Sequence, residues 1–326
     1  MGIEILLKIQ EDRAVVYCDE AFSHSFSLNN VAVEVDGKQH LPFPWADPVG
    51  YGKALFSALF PEGSPARSAY DAQPERILLV AVDPDLQSVA WEYLYGPHGY
   101  VVCETHFVRG IPSGRRELPA SLGPLQVIVV PSNPTIPGNN PLPVESEWEQ
   151  LQKAVVGVGV SLRFTRTRPA TLSQLRKLVA GKQNQVIHFL GHGNRDTEGN
   201  AYLCFEKENS SLAPAYPLDF YNRIKDCSFL VTLNACKSAV PGTTEFSNLA
   251  HSLVEKGVPY VIGMQYVVRL DTAQSFSHTL YADLARGSSL EEAVQQARME
   301  LAGSEVPWAV GIPVLYTSLT HPAGRF

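Results

Sequence analysis

The chain has 326 residues, 45% of them hydrophobic, with a formal net charge of −7. That is enough apolar material for one large α/β domain or two small ones, and an acidic balance with no lysine/arginine cluster argues against a nucleic-acid-binding face. Five widely scattered cysteines, none in a C-x-x-C pair, suggest neither a disulfide framework nor a zinc finger and point to a reducing, cytoplasmic compartment.

The N-terminus, MGIEILLKIQEDR, has early acidic residues and no apolar signal-peptide region, and no apolar run approaches the length of a membrane span. Residues 1–43 read as a short β module. Ile3–Ile9 and Ala14–Tyr17 flank a polar turn, Ser25–Leu28 and Val31–Val35 flank Asn29-Asn30, and Asp36-Gly37 is a further hairpin signal. Capping a sheet edge and docking a partner both fit this module. The proline-rich junction LPFPWADP closes it, and residues 44–326 are expected to form the main domain.

Lys53 to Phe60 reads as a short helix. Residues 61–75, rich in Pro, Gly, Ser and Ala, read as a loop. Arg76–Val82 is the first strongly apolar strand, followed by the WEYL segment at Trp91–Leu94, Tyr100–Val102 and Phe107–Ile111. Pro112–Pro124 again reads as a loop.

Beyond this the pattern alternates. Leu125–Val130 is a strand, Ser132–Pro143 a loop, Glu145–Val156 a helix and Leu162–Thr165 a strand. Thr171 is a suitable N-cap for a helix ending near Gly181. Gln185–Leu190 and Ser228–Leu233 are apolar strands, with Tyr202–Phe205 and the helical turn Phe220–Ile224 between them. A helix over Thr244–Lys256, a strand at Pro259–Met264, two helices begun by Asp271 or Thr272 and by Ser288 or Ser289, and a strand at Val310–Tyr316 complete the chain. Strands that are apolar throughout, alternating with helices, predict a mostly parallel sheet covered on both faces.

Two of these strands end in reactive side chains. QVIHFLGHG places His192 just past one, and FLVTLNACKS places Cys236 just past the other. In open α/β sheets functional groups gather beyond the carboxyl ends of strands, so neighbouring strands would bring the two together. An imidazole beside a thiol holds it as the nucleophilic thiolate. Gly191 and Gly193 admit close backbone approach, and the amides of Gly193 and Cys236 are candidate oxyanion donors. Taken singly, a cysteine is commonly a small buried hydrophobe and a histidine after a strand a packed one; the pairing is what points to chemistry. His188, inside its strand, is expected to pack in the core. No Walker A loop, no G-x-S-x-G elbow and no complete dinucleotide fingerprint occurs, and neither a cofactor nor a metal is called for.

HFLGHG and LNACKS resemble the histidine and cysteine motifs of CHAT-domain peptidases, the caspase-like branch related to separase and, more distantly, to caspases and metacaspases. WEYLYGPHGYVV, PLPVESEWEQLQKAV and the C-terminal helix pair in TAQSFSHTLYADLARGSSLEEAVQQARMEL extend the resemblance over roughly residues 46–320. The spacing, 236 − 192 = 44 residues, is similar to that in caspases. The resemblance implies a caspase-like three-layer α/β sandwich and an endopeptidase with His192 as general base and acid, Cys236 as nucleophile and Gly193 as an oxyanion donor. It further implies a protein substrate, an activating protein partner, and a place in a bacterial defence or cell-death module; no direct nucleic-acid or membrane contact is expected. Asn234 stands where metacaspase-like relatives often carry Asp, so their basic P1 preference does not transfer directly. Asp196, Asp219 and Asp226 are the nearby acidic candidates for a basic pocket. A catalytically idle scaffold and a small-molecule amidase are the competing readings.

Overall fold

The computed structural model describes residues 1–28, 33–35, 38–40, 47–111, 125–136, 138, 141–156, 158, 162–235, 245–266 and 268–319. The Asn29-Asn30 and Asp36-Gly37 turns, residues 41–46 of the proline-rich junction, the loop 112–124 and Cys236 lie outside them.

The strands are β1 Gly2–Gln10, β2 Arg13–Cys18, β3 Ala21–Phe26, β4 Val33–Val35, β5 Lys38–His40, β6 Arg76–Ala81, β7 His106–Gly110 and β8 Gln126–Pro131. They continue as β9 Arg163–Arg166, β10 Gln185–Gly191, β11 Gly193–Arg195, β12 Ala201–Glu206, β13 Leu212–Ala215, β14 Ser228–Ala235, β15 Tyr260–Met264 and β16 Pro313–Thr317. Eleven form one sheet in the order β3-β2-β1-β6-β7-β16-β15-β14-β10-β8-β9. Among the described residues, antiparallel pairing in it is confined to β1–β2–β3 and to β15–β16, and the other neighbours run parallel.

Because side chains alternate across a strand, each central strand feeds two cores. From β10, Val186 and Leu190 face one core and Ile187 and Phe189 the other; from β14, Leu230 and Val231 divide the same way. Helices Pro48–Leu59, Leu270–Ala285 and Leu290–Ala302 pack into the first core, and helices Leu172–Val179, Pro217–Ile224 and Glu245–Lys256 into the second. The result is the mostly parallel three-layer sandwich predicted from the apolar strands.

The first three strands belong to this sheet, whereas β4 and β5 pair only with each other among the described residues. β1 runs parallel to β6, with Ile5 opposite Leu79, and Ile5 and Leu7 are fully buried in the first core. The 61–75 segment is not all loop: Ser64 accepts the amide of Arg67 and Pro65 opens a helix to Asp71. That start combines a side-chain N-cap with proline at the first helical position. Neither Asp271 nor Thr272 is an N-cap, since their helix begins one residue earlier with Arg269 as the capping position. Other local signals hold. Thr171 caps by accepting the Gln174 amide, Gly181 takes positive φ after the same helix, and Ser289 with Glu292 completes a reciprocal capping box.

The WEYL segment is fixed by burial. Trp91 is buried and donates to the Leu86 carbonyl, while the buried Glu92 carboxylate meets the Arg109 guanidinium, whose Nε lies 2.8 Å from Oε1. Arg109 also donates to the carbonyls of Gln87 and Val89, and the nearby Glu92 charge holds its pKa up despite the burial.

Candidate active site

The site is built at the carboxyl ends of β8, β10 and β14, which lie side by side. β10 and β14 are parallel neighbours, and the last pair in register is Gly191 with Ala235. His192 follows Gly191 directly and is buried, with 6% of its surface exposed. Cys236, next in sequence after Ala235, lies outside the described residues. The expected adjacency of the two parent strands is therefore observed.

The turn carrying His192 is braced on three sides. Its carbonyl accepts the amide of Cys204 at 2.9 Å. Ser132, at the end of β8, donates its amide to the Leu190 carbonyl at 2.7 Å and its hydroxyl to the Cys204 carbonyl at 2.7 Å. Glu206 accepts the amides of Asn133 and Ala170, joining the ends of β8, β9 and β12. Sequence reading did not single out Ser132 or Glu206; a serine after an apolar strand and a glutamate closing one carry no pattern of their own.

Gly191 is required by space. It sits in extended backbone, and a Cβ there would fall 2.7 Å from Phe189 Cζ and 3.0 Å from the Ser132 carbonyl oxygen. Gly193 begins β11, the edge of a small antiparallel sheet with β12 and β13, and stands opposite Leu203. The bond from the Cys204 amide to the His192 carbonyl makes Gly193–Leu203 a non-hydrogen-bonded pair, so the Gly193 N–H turns away from β12. The donor is thus left facing the open edge of that sheet.

His188 is structural. It is fully buried, its Nδ1 lies 2.7 Å from the Tyr281 hydroxyl, and burial pushes its pKa down to about 3. Two residues before Cys236, Asn234 is also buried, and its Nδ2 donates to Glu147 Oε1 at 2.7 Å. Burial raises the Glu147 carboxyl to about 7.

The three aspartates have different settings. Asp196 accepts the amides of Glu198 and Asn200 and the hydroxyl of Tyr216, and the Asn200 bonds chiefly hold its pKa down. It organises the β11–β12 turn. Asp219 is in the first turn of helix Pro217–Ile224, where a carboxylate suits the helix dipole. Asp226 precedes β14 and so lies at the opposite end of that strand from Ala235.

A family model for the CHAT domain matches residues 49–309. The chain belongs to the CHAT-domain family. Comparison with curated proteins gives no match. Among solved structures, the CHAT chain is similar to the Arg-specific cysteine proteinase gingipain R (RgpB) of Porphyromonas gingivalis, at 8% identity over 83% of this chain and 67% of that one, with a TM-score of 0.51. It also matches Saccharomyces cerevisiae separase in its securin complex, at 14% identity, 77% of this chain, 16% of that chain and a TM-score of 0.44. A further match is the Drosophila initiator caspase Dronc, at 8% identity, 62% of this chain, 85% of that one and a TM-score of 0.35. The CHAT chain thus spans about one sixth of the separase chain. At 8% identity the likeness to the gingipain chain speaks to fold alone, and the fold is the caspase-like α/β sandwich. No helix among the described residues is long and apolar enough to cross a membrane.

Proposed function

We propose that this CHAT domain is a cysteine endopeptidase working through His192 and Cys236. The observation that carries the reading is the Gly191–Ala235 register, which sets the residues preceding His192 and Cys236 side by side at one sheet edge.

In this reading His192 takes the Cys236 thiol proton, and the thiolate attacks the scissile carbonyl carbon. The carbonyl oxygen becomes an oxyanion that accepts the outward-facing Gly193 N–H. The C–N bond then breaks, the amine leaves with the proton held on His192, and a thioester remains on Cys236. Water, deprotonated by His192, attacks the thioester; the acid product departs and the thiol regains its proton. The bonds from Ser132 and Cys204 hold the backbone of the His192 turn in place through both halves. The reaction uses no cofactor.

The same proposal takes a protein as substrate and a second polypeptide as activator, within a cytoplasmic bacterial defence or cell-death module. Membership of the CHAT family supports that part. The test is a diverse peptide library incubated with the chain and candidate partners, beside Cys236→Ala and His192→Ala. Cleavage lost in both variants supports the dyad. Wild type that cleaves nothing with every partner supplied favours an idle scaffold instead.

A further inference from the structure

A cavity of about 670 Å³ opens at the amino ends of β10 and β14, the opposite end of both strands from Gly191 and Ala235. Its walls come from the ends of helices Leu172–Val179 and Pro217–Ile224 and from the turns that lead into the two strands. Four cations line it, Arg176, Lys182, Arg223 and Lys225, against one carboxylate, Asp226. In the sequence these cations are scattered and form no run. The fold collects them, in a chain whose net charge is −7.

The helix ends account for part of this charge. Arg176 and Arg223 lie in the last turns of their helices, where a cation offsets the macrodipole. Lys182 and Lys225 lie beyond those turns, and four like charges around one hollow repel each other. Among the described residues, no ion pair or side-chain hydrogen bond engages any of the four. Arg223 is half-buried, and its enclosed Nε has no hydrogen-bond partner among the described residues, which is costly for a charged group. The Cys227 thiol also lines the cavity. Burial first, and then Asp226, push it up to about 11, and it donates to the Ile224 carbonyl, so it is wall and not nucleophile.

We propose that this cavity, with Arg176, Lys182, Arg223 and Lys225, binds a small molecule carrying two phosphate groups on a polar, non-aromatic body. Charge sets the number of phosphates. Four cations less one carboxylate leave a net charge of +3. One phosphate monoester brings about −1.5 to −2 near neutral pH, and two bring about −3 to −4. The volume is that of a small-ligand site, for which about 300–1,000 Å³ is usual, and exceeds the need of a lone ion. Two guanidinium forks match phosphate oxygens in pairs. No aromatic ring among the described residues lines the cavity, so a base has nothing to stack on, whereas Gln183 and Asn222 suit hydroxyl groups. The site is a β10 strand length, on the order of 20 Å, from the His192 turn, and it stands whether or not Cys236 is a nucleophile.

The test is titration calorimetry of the full chain with fructose 1,6-bisphosphate, 2,3-bisphosphoglycerate and pyrophosphate, beside inorganic phosphate, citrate and ADP. At least one of the two bisphosphates should bind one to one, about 10-fold or more tighter than inorganic phosphate, and more weakly as salt is raised. Lys182→Gln and Arg223→Gln should each weaken that binding by about 10-fold or more, the loss of one charge-assisted hydrogen bond. Lys207→Gln, an exposed cation outside the cavity, should leave it unchanged. Thermal melts of each variant separate lost binding from lost folding. Neither bisphosphate exceeding inorganic phosphate overturns the proposal, as does tight binding that survives both cavity variants. Citrate binding as tightly as the bisphosphates reduces the cavity to a general anion trap and overturns the phosphate assignment. Tightest binding by ADP overturns the non-aromatic body, and tightest binding by pyrophosphate overturns the need for a body at all.

Discussion

Gly191 and Ala235 are paired across two parallel strands, and each is followed at once by a residue of the proposed dyad. The pairing has a geometric consequence for Gly191. It has no room for a β-carbon, because the Phe189 ring and the Ser132 carbonyl already occupy that space. Gly191→Ala should cost about 1–3 kcal/mol in denaturant unfolding through overpacking. It should also lower cleavage by more than the loss of folded protein explains, because relief of the clash moves the His192 turn.

The buried Glu92–Arg109 pair gives a second prediction. Removing one partner strands the other in the core, so Arg109→Met should destabilise the fold by about 3–5 kcal/mol. The double substitution Glu92→Leu with Arg109→Met should recover part of that loss, because no uncompensated charge remains. A urea-unfolding double-mutant cycle measures both.

The N-terminal strands supply a third. β1 covers the edge of β6 and buries Ile5 and Leu7 against the first core. Deleting residues 1–43 should therefore expose an apolar edge and lower stability and solubility, rather than remove a separable docking arm. Circular dichroism melts and sedimentation of the truncated chain read this out.

Acid and base act on two buried groups in opposite directions. His188 is held neutral well below its ordinary range, so unfolding takes up a proton at low pH; its contribution is intact above about pH 6.5 and is lost as pH falls toward 3. Glu147 is raised to about 7, so the unfolded chain ionises first; stability falls as pH rises from about 4.5 to 7 and then levels. Glu147→Gln should thus stabilise the free protein more at pH 8 than at pH 5, by on the order of 2–3 kcal/mol. Equal stability changes at both pH values would count against a buried Glu147 that ionises in the folded protein.

Much of this architecture was legible in the chain. Apolar runs such as Arg76–Val82 and Gln185–Leu190 are long enough to read as buried strands, and the place of His192 and Cys236 just past the ends of two of them points to a shared edge. Pairing across the sheet was not legible: the alternating pattern of Ile3–Ile9 shows a half-buried strand and says nothing of β6 as its partner. Short strands such as β11 and β13 were missed because three or four residues make no period. Proline and glycine hid the Pro65–Asp71 helix, whose start depends on a cap rather than on apolar spacing. Glu147 looked like one more acid on an acidic helix; only packing shows that its face meets Asn234 while that of Glu145 meets two arginines.

The central claim is that a thioester forms on Cys236 with help from His192. Acid-quenched intact-mass analysis of the chain during turnover of a cleavable peptide, followed by mapping of the acylated residue, tests it directly. The account predicts an acyl adduct on Cys236 in wild type, absent from Cys236→Ala and strongly reduced in His192→Ala. Continued peptide cleavage by Cys236→Ala, or an adduct mapped to another residue, would contradict it.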